Sequence, residues 1–335
     1  MTTPLVSVLL PVRDEAPFLA EALASLSAQS LEDFEAIVVD DGSSDGSQEI
    51  AQEHASNDRR FRVVRQSPGG IVPALERARA EAGGRYLARM DGDDVALPHR
   101  LALQVEALES DRLEACGGGI EYFPHELVRD GARRYERWIN GLVTAEAARR
   151  DVFVECPLPH PTIVVRREAL DAVGGYRDCG RPEDYDLVLR LWARGARFRN
   201  VDEVVLRWRE HGDRASRTEE VYALDAIVRC KVHYLRATLV AERNRAVIWG
   251  AGPVGKAFAR ELIHQGTRVA AFVDVDPRKT GHEVAGAPVV AVDEAPRFAY
   301  AFAIGAVSGA EGRARVREMA SAQGRRDGVD LIAVA

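Results

Sequence analysis

A chain of 335 residues is long enough to form two domains, each with its own hydrophobic core. Its net charge of −7 argues against a nucleic-acid-binding protein, and no apolar run approaches the roughly 20 residues that a membrane-spanning helix needs. The four cysteines are far apart and include no Cys-x-x-Cys pair, so we expect neither a zinc site nor a disulfide framework. Residues 1–11 lack the basic start and long apolar core of a signal peptide, and a reducing cytoplasm fits these features.

The first 50 residues predict a strand, a helix and a second strand. The strands are apolar runs at residues 5–10 and 36–39, and the first run is closed by Pro11. The helix between them places its apolar side chains on one face, at Phe18, Leu19, Leu23 and Leu26. This order implies a right-handed crossover and a parallel sheet, in which ligands bind beyond the carboxyl ends of the strands.

Acidic loops follow two of the predicted strands. Residues 40–47 come after the second strand, and Asp91-Gly92-Asp93-Asp94 comes after a short buried strand at residues 86–88. Carboxylates this close repel one another unless a cation or water screens them, and a divalent ion with oxygen ligands, Mg²⁺ or Mn²⁺, suits the second loop. Taken alone, an acidic turn such as the second loop is usually just solvated. In the first loop, Ser44 or Ser47 also suits a helix cap.

Further α/β elements surround the second loop. Residues 61–64 predict a third strand, and Gly69 and Gly70 open a helix over residues 73–81. The segment Leu97-Pro98-His99-Arg100 starts another amphipathic helix. The alternation of strands and helices therefore continues past residue 100.

Six segments, in their order and spacing, resemble the inverting, nucleotide-sugar-dependent glycosyltransferases of family 2. They are VSVLLPVRDE at 6–15, VVDDGSSD at 38–45, MDGDD at 90–94, PHPTIVVRR at 159–167, VGGYR at 173–177 and PEDYDL at 182–187. Each segment alone would not be specific. The resemblance fades after His211, so it covers about the first two-thirds of the chain.

This resemblance implies the three-layer α/β/α GT-A fold and transfer of a sugar from a nucleoside diphosphate with inversion. Asp41 would hydrogen-bond the base, Asp91 would lie by the ribose, and Asp93 would be the main ligand of Mn²⁺ or Mg²⁺. The positions that the resemblance assigns to donor binding are Pro11, Val12, Arg13, Glu15, Asp41, Gly70, Asp91 and Gly92. A metal that bridges both phosphates would neutralise charge on the departing diphosphate.

Inverting displacement also needs a base that takes the proton of the acceptor hydroxyl. The family pattern gives this role to Asp184, with Glu183 contacting the acceptor or orienting the site. Acidic residues in a first helical turn also complement the helix dipole, which is the purely structural alternative. His211 matches a position where family members place a group near the metal or diphosphate, so we predict it as a second metal ligand.

Two positions depart from the family pattern. Arg13 stands where an aromatic residue is commoner, and Glu76 stands where many members have Asn. Both weaken inferences about which nucleotide is bound. The chain also lacks the Gln-x-x-Arg-Trp signature of processive polysaccharide synthases, which favours transfer of one sugar per encounter.

A second pattern occupies the C-terminal third of the chain. Residues 218–243 predict one long helix that packs on the catalytic domain as a connection, with a dimer interface as the alternative. A strand at residues 246–249 then leads into Gly250-Ala251-Gly252-Pro253-Val254-Gly255, hereafter the glycine loop, and a helix. A further strand at residues 269–273 ends at Asp274.

The glycine loop has the Gly-x-Gly-x-x-Gly spacing and the context of a nucleotide site, with an acidic residue about twenty positions on. The predicted binding residues are Gly250, Gly252, Gly255 and Asp274, and the predicted ligand is NAD(P) or another nucleotide. Ala257 stands where a phosphate-binding loop would need Ser or Thr, which excludes that motif. This half resembles the small Rossmann-like domains that precede bacterial sugar acyltransferases. A scaffold whose glycines serve packing alone is the alternative.

The sequence thus predicts a glycosyltransferase domain at 1–215, a helical connection at 216–243 and a Rossmann-like domain at 244–335. The expected partners are a nucleotide-sugar donor, with UDP-sugars favoured, and a carbohydrate or lipid-linked acceptor in bacterial cell-surface polysaccharide or glycolipid synthesis. The expected location is the cytoplasm or the inner face of the membrane, and a peripheral membrane contact and a homo-oligomer are both compatible with the chain. The alternatives are an NAD-linked oxidoreductase and a nucleotide-binding sensor.

Overall fold

The chain forms two compact units. The computed structural model describes residues 3–212 and 220–335. Most of the chain up to residue 218 belongs to the first unit, and residues 219–335 belong to the second. Two short segments, Arg150–Cys156 and Gly180–Tyr185, also belong to the second unit. The domain boundaries at residues 215 and 243 stay a prediction.

An eight-stranded sheet is the centre of the first unit. Its strands are β1 (Val6–Val12), β2 (Phe34–Asp40), β3 (Phe61–Arg65), β4 (Tyr86–Arg89), β5 (Val95–Ala96), β6 (Ala115–Phe123), β7 (Val164–Arg166) and β8 (Phe198–Arg209). The order across the sheet is β3-β2-β1-β4-β7-β6-β8-β5. Pairing is parallel except at β7 and β5, so the predicted mainly parallel α/β sheet is confirmed.

Helices connect these strands. They are α1 (Ala16–Ser27), α2 (Ser47–Asn57), α3 (Ile71–Glu81), α4 (Arg100–Ser110), α5 (Asp130–Ile139), α6 (Ala145–Arg150), α7 (Arg167–Ala172) and α8 (Glu183–Ala193). The apolar face predicted for α1 is buried at Leu19, Leu23 and Leu26. Helix α3 begins two residues before the predicted start at residue 73. The buried face of α1 shares one hydrophobic core with side chains of β1, β2 and β4, and α3 packs against β1 and β2.

Strand β1 does not end at Pro11, as the sequence predicted, but runs on to Val12. Proline removes one donor, yet the pairing with β2 continues because the carbonyl of Val12 accepts the backbone N–H of Asp41 at 2.9 Å. In the parallel register Val12 lies opposite Asp40, and Leu9 lies opposite Arg89. The loops that follow β1, β2 and β4 therefore leave the same edge of the sheet, as predicted.

A six-stranded sheet is the centre of the second unit. Its strands are β9 (Arg245–Trp249), β10 (Arg268–Val273), β11 (Glu283–Val284), β12 (Ala287–Val290), β13 (Phe302–Gly305) and β14 (Leu331–Ala333). The order is β11-β12-β10-β9-β13-β14, and pairing is parallel except at β11. The helices of this unit outside the shorter turns are α9 (Leu224–Ala237), α10 (Pro253–His264) and α11 (Ala310–Ser321).

The single long helix predicted over residues 218–243 is wrong. Residues 218 and 219 lie outside the described part of the chain, a 3₁₀ turn covers Glu220–Tyr222, and α9 ends at Ala237. The hydroxyl of Thr238 donates to the carbonyl of Tyr234 at 2.6 Å. The backbone of Thr238 has a φ of −126° and a ψ of −87°, which are not helical, so the helix ends there.

Across residues 3–212 and 220–335, every helix is too short or too polar to cross a bilayer.

Candidate active site

Three carboxylates meet at the carboxyl end of β4. Asp91, Asp93 and Asp94, hereafter the acidic turn, each offer an oxygen atom within 4.8 Å of the others. The side chain of Asp94 is buried, whereas those of Asp91 and Asp93 keep 23% and 15% of their surface exposed. Mg²⁺ and Mn²⁺ prefer clustered oxygen ligands of this kind. The side chains present therefore fit a hard divalent cation.

Strand β8 holds the acidic turn in place through Arg209. The backbone N–H of Arg209 donates to Oδ1 of Asp94 at 2.8 Å, and its Nε donates to the carbonyl of Asp93 at 2.7 Å. The guanidinium lies 4.8 Å from the ring centre of Phe18 and 4.3 Å from that of Phe123. Sequence reasoning missed Arg209, because its partners are more than a hundred residues away along the chain.

The two predicted metal ligands lie side by side. Nε2 of His211 is 2.8 Å from Oδ2 of Asp93, and its ring lies 5.2 Å from that of Phe18. An imidazole at this distance can share a cation with the carboxylate or hydrogen-bond to it. The structure thus brings together residues that are 118 positions apart.

Two buried arginines lie behind the acidic turn. Arg89 forms an ion pair with Asp91, and Nη2 of Arg100 donates to the carbonyl of Arg89 at 2.5 Å. Burial lowers the pKa of Arg100 to about 10, and the charge of Asp94 opposes that shift. These cations offset part of the negative charge of the turn.

Glu15 packs directly against the acidic turn. A Cβ atom at position 92 would lie 1.9 Å from Oε2 of Glu15, so a larger residue there would have to displace this carboxylate. Within the described residues this oxygen is buried and has no hydrogen-bond partner. Burial, together with the charges of Asp93 and Asp91, raises the pKa of Glu15 well above its ordinary value. The structure therefore places this predicted donor-binding residue beside the turn.

Asp41 is buried at the end of β2 and binds the loop before α3. Its Oδ1 accepts hydrogen bonds from Nε2 of Gln66 at 2.7 Å and from the N–H of Gly69 at 2.8 Å. Its Oδ2 accepts the N–H of Gly70 at 2.8 Å and lies 3.6 Å from Nη1 of Arg13. Since a carboxylate has about four acceptor positions, one remains for a ligand.

The structure brings together the predicted donor-binding residues Arg13, Asp41 and Gly70. Pro11 and Val12 are buried in β1 immediately before Arg13. Gln66 is an addition that the sequence did not suggest. An Asp followed about 25 residues later by Gln-x-x-Gly-Gly could have indicated it.

The serines of the loop after β2 hold the start of α1, not that of their own helix. Oγ of Ser47 accepts the N–H of Glu15 at 2.9 Å, and Oγ of Ser43 accepts the N–H of Asp14 at 3.0 Å. Helix α2 has Gly46 as its N-cap, without a side-chain hydrogen bond. The helix cap predicted at Ser44 or Ser47 is therefore wrong, and the hydrogen bonds of Ser43 and Ser47 instead join two loops and fix Glu15 relative to the sheet edge.

Glu183 and Asp184 begin α8 and lie in the segment Gly180–Tyr185, which belongs to the second unit. Glu183 is buried, and the hydroxyl of Tyr222 donates to both its carboxylate oxygens at 2.8 Å. Asp184 is half-buried, and its Oδ1 accepts the N–H of Tyr185 at 2.6 Å. Of the two predicted catalytic residues, Asp184 is thus the more accessible to an acceptor.

The three positions of the glycine loop differ in whether packing requires glycine. At Gly250, where φ is +112°, an added Cβ would lie 2.9 Å from the carbonyl oxygen of Ala306. At Gly255 it would lie 1.9 Å from the carbonyl oxygen of Gly250. At Gly252 it would meet no atom within 4 Å. Packing therefore explains Gly250 and Gly255 but leaves Gly252 unexplained.

Asp274 is used to hold the glycine loop. Its carboxylate accepts the N–H groups of Ala251 and Asp276 at 2.8 and 2.9 Å and Nζ of Lys279 at 2.9 Å. Burial alone would raise the pKa of Asp274, but these hydrogen bonds outweigh it and lower the pKa. The nucleotide-binding role predicted for this residue would have to compete with them.

A cavity of about 360 Å³ adjoins the glycine loop. Gly252, Lys279 and Arg315 line it, as does Trp249, whose side chain is almost completely buried. Among the described residues, the indole N–H of Trp249 has no acceptor. A buried donor without a partner is costly, and this one belongs to a residue that borders the cavity.

Comparison with known proteins identifies both halves of the chain. Residues 7–174 match the glycosyl transferase family 2 domain. The chain is 33% identical to the glycosyltransferase EpsE of Bacillus subtilis over 228 residues, which are 66% of this chain and 79% of EpsE. The chain belongs to glycosyl transferase family 2.

A second relative is the Escherichia coli O-antigen biosynthesis glycosyltransferase WbnJ, which is 27% identical over 225 residues, 65% of this chain and 84% of WbnJ. Residues 241–326 of this family 2 chain match the CoA binding domain, so the predicted Rossmann-like domain is confirmed.

Solved structures confirm the GT-A fold of this family 2 member. Staphylococcus aureus TarS in complex with UDP-GlcNAc has a TM-score of 0.58 at 17% identity, over 77% of this chain and 71% of TarS. The mannosyltransferase PcManGT of Pyrobaculum calidifontis, in complex with GDP-Man and Mn²⁺, has a TM-score of 0.53 at 21% identity, over 79% of this chain and 70% of that one.

Proposed function

We propose that this family 2 glycosyltransferase is metal-dependent, inverting and non-processive, and that it moves one sugar from a nucleoside-diphosphate sugar to an acceptor hydroxyl. The observation that carries the proposal is the acidic turn, whose three oxygen ligands lie within 4.8 Å of one another. The turn leaves the same edge of the sheet as the loops that contain Arg13 and Asp41. A diphosphate between the acidic turn and a base-binding loop would suit that edge.

Asp93 and His211 would hold Mn²⁺ or Mg²⁺, with Asp91 beside the ribose. When bound, the cation would neutralise charge that develops on the departing diphosphate. Arg209 fixes the backbone of the turn through the carbonyl of Asp93, so the carboxylates stay directed at one point. Glu15 fills the space behind Gly92 and keeps side chains out of it.

Asp41 and Arg13 would contact the base of the donor. One acceptor position of Asp41 remains for a base N–H, and the exposed guanidinium of Arg13 supplies donors beside it. We favour a UDP-sugar, in keeping with the UDP-GlcNAc complex of TarS, while the GDP-Man complex of PcManGT makes GDP-sugars the second choice.

Asp184 would act as the base that takes the proton of the acceptor hydroxyl during in-line attack. Its half-buried position supports this role, and the buried Glu183, held by Tyr222, would orient it. The O-antigen role of WbnJ supports an acceptor in cell-surface polysaccharide or glycolipid synthesis at the inner face of the membrane. We do not favour an oxidoreductase, because the match to glycosyl transferase family 2 includes the acidic turn and so associates it with glycosyl transfer.

Isothermal calorimetry of UDP, with and without Mn²⁺, tests the metal site. Asp93→Ala should abolish the Mn²⁺-dependent part of the affinity, because the main carboxylate ligand is lost. Asp33→Ala is the matched control, since Asp33 is exposed just before β2, at the opposite edge of the sheet. Unchanged affinity of Asp93→Ala in the presence of Mn²⁺ would falsify the metal assignment.

We also propose that the second unit binds a nucleotide at the glycine loop. Gly252 is open to the cavity, the N-terminus of α10 has no side-chain cap, and the indole N–H of Trp249 lacks an acceptor. A phosphate at the helix N-terminus would accept the uncapped N–H groups, and Lys279 and Arg315 would add positive charge. Asp274 would position the loop.

Binding of CoA, NAD, NADP and UDP to the full-length protein tests this second site. At least one of these nucleotides should quench the fluorescence of Trp249. Gly252→Ala should remove that response, because the added methyl group would fill the open space beside the cavity. Gly131→Ala is the control, since Gly131 has the same open surroundings and no positive φ and lies in the first unit, away from the cavity. If no nucleotide binds, or if Gly252→Ala binds as well as wild type, the unit is a scaffold.

A further inference from the structure

Arginine side chains cover the outer face of α5. Arg129, Arg133, Arg134 and Arg137 are all exposed, and Leu127, just before the helix, is 51% exposed. These five residues are named the arginine surface. Two exposed carboxylates, Glu126 and Asp130, accompany the four arginines, so the local charge is positive on a protein whose net charge is −7.

The arginines of this surface are not paired. Over residues 3–212 and 220–335, none of the four has a carboxylate within 4.0 Å. The other acidic residue of the helix besides Asp130 is Glu136, which is turned toward the sheet, where its Oε2 accepts the N–H of Tyr122 at 3.0 Å. The four arginine side chains are therefore exposed without a carboxylate in direct contact, and Nη2 of Arg133 donates to the carbonyl of His125 at 3.1 Å.

The opposite face of α5 fixes this orientation. Tyr135 and Trp138 pack against the core of the first unit, and Ile139 is fully buried. Because aromatic residues anchor one side of the helix, its charged side cannot rotate inward. The arginine surface is thus a stable feature of the fold.

The arginine surface lies beside the active-site edge. Helix α5 follows the carboxyl end of β6, which is parallel to β8. The ring of Tyr135 lies 6.3 Å from that of Trp208, which stacks on Tyr122 at 5.3 Å. The residue after Trp208 is Arg209, which holds the acidic turn. A partner on this surface would therefore be close to the reacting groups.

We propose that the arginine surface docks this protein on an anionic membrane. Four arginines on one amphipathic helix match the negative charge of a phospholipid headgroup layer. The exposed Leu127 would enter the boundary between headgroups and acyl chains, a contact that a soluble polyanion does not offer. The surface would thereby present the active-site edge to an acceptor held in the bilayer, which goes beyond the transfer reaction proposed above.

Flotation with vesicles tests the proposal without donor or acceptor, so its outcome is independent of transfer activity. The full-length protein should float with vesicles that contain phosphatidylglycerol and stay behind with pure phosphatidylcholine. Arg133→Glu, Arg134→Glu and Arg137→Glu together should weaken binding by more than about a hundredfold, since each change loses roughly fivefold with the arginine and adds a carboxylate that the headgroups repel. The milder pair Arg133→Gln and Arg137→Gln should weaken it about twenty-five-fold.

The matched control reverses three other exposed arginines without a carboxylate partner, Arg59, Arg112 and Arg194. They precede the parallel strands β3, β6 and β8 and so lie at the opposite edge of the sheet. This variant should keep wild-type binding. Equal loss in the control would overturn the proposal, because net charge alone would then explain the binding.

A second comparison separates a membrane from a soluble polyanion. Leu127→Asn should weaken vesicle binding severalfold and leave binding of soluble polyphosphate unchanged. If Leu127→Asn has no effect and polyphosphate displaces the vesicles at equal phosphate concentration, the surface recognises polyanions in general. The membrane assignment is then wrong.

Discussion

The acidic turn and the glycine loop stand in the same place in two different sheets, yet they use their carboxylates in opposite ways. Both follow the carboxyl end of a parallel strand. In the acidic turn, Arg209 and Arg100 hold the backbone, and the carboxylates of Asp91 and Asp93 remain partly exposed. In the glycine loop, the carboxylate of Asp274 holds the backbone.

This difference shows what each site can bind. The acidic turn offers negative side chains and so suits a cation. The glycine loop offers uncapped N–H groups and nearby cationic side chains, and so suits a phosphate. A motif states which polar atoms are present, whereas their partners in the fold decide which atoms are available to a ligand.

The largest effect should come from Asp184. If the acidic turn only activates the leaving group, transfer still needs a separate base, and Asp184→Asn should lower kcat by roughly 10²–10⁴-fold while UDP affinity stays unchanged. Steady-state kinetics and calorimetry measure the two quantities. Asp178→Asn is the control, because Asp178 is exposed in the loop before α8. Near wild-type turnover of Asp184→Asn would remove it from the mechanism.

Replacement of Arg209 tests whether metal binding at the acidic turn depends on the hydrogen bonds that Arg209 donates to the turn. Arg209→Met should weaken Mn²⁺ binding roughly 10- to 100-fold, since groups that orient metal ligands contribute on this scale. Electron paramagnetic resonance titration of Mn²⁺ measures the change, and UDP affinity without metal should stay the same. The control is Arg207→Met, because Arg207 lies over Phe123 and contacts Glu121 instead of the turn. Equal losses in both variants would contradict a specific role for Arg209.

Gly255 tests the packing half of the glycine loop. Gly255→Ala places a methyl group 1.9 Å from the carbonyl oxygen of Gly250 and should destabilise the second unit by about 1–3 kcal/mol. Gly252→Ala should cost less than about 1 kcal/mol, as at an ordinary N-cap. Urea unfolding followed by tryptophan fluorescence compares the two variants. Similar midpoints would mean that the loop relaxes and that packing does not explain its glycines.

The smallest expected effect is the one on stability at Glu15, which lies beside the acidic turn and whose protonation should make stability depend on pH. Its pKa is raised in the folded protein above the unfolded value of about 4.3, so the folded state holds the proton longer. Stability of the metal-free protein should therefore fall as pH rises from about 4 through the folded pKa. Glu15→Gln should remove this loss and stabilise the protein at pH 8 by about 1 kcal/mol.

Urea unfolding at pH 5 and pH 8 in the presence of EDTA measures the effect of Glu15. Glu32→Gln is the control, because Glu32 is exposed before β2. A parallel pH dependence in wild type and Glu15→Gln would mean that Glu15 is ionised in the folded state.

The sequence by itself predicted the alternation of strands and helices, the strand ends that carry the acidic turn, and the strand–loop–helix order around Gly250. These features are local, because apolar periodicity and turn residues act within about one element. The pairing of Asp93 with His211 came from a family pattern. It did not follow from the local sequence.

The tertiary structure alone decided which side chains support the site. Arg209, Gln66 and Tyr222 reach their partners across 25 or more residues, a separation that leaves no local signal. The tertiary structure also made the run Gly117-Gly118-Gly119 part of a strand, although such a run is typical of a loop. An added Cβ at Gly119 would lie 2.7 Å from the carbonyl oxygen of Glu203, in the register irregularity between two paired stretches of β8, so the close approach of two strands requires glycine there. Local propensity sets what a segment can form, and contacts between distant segments set what it does form.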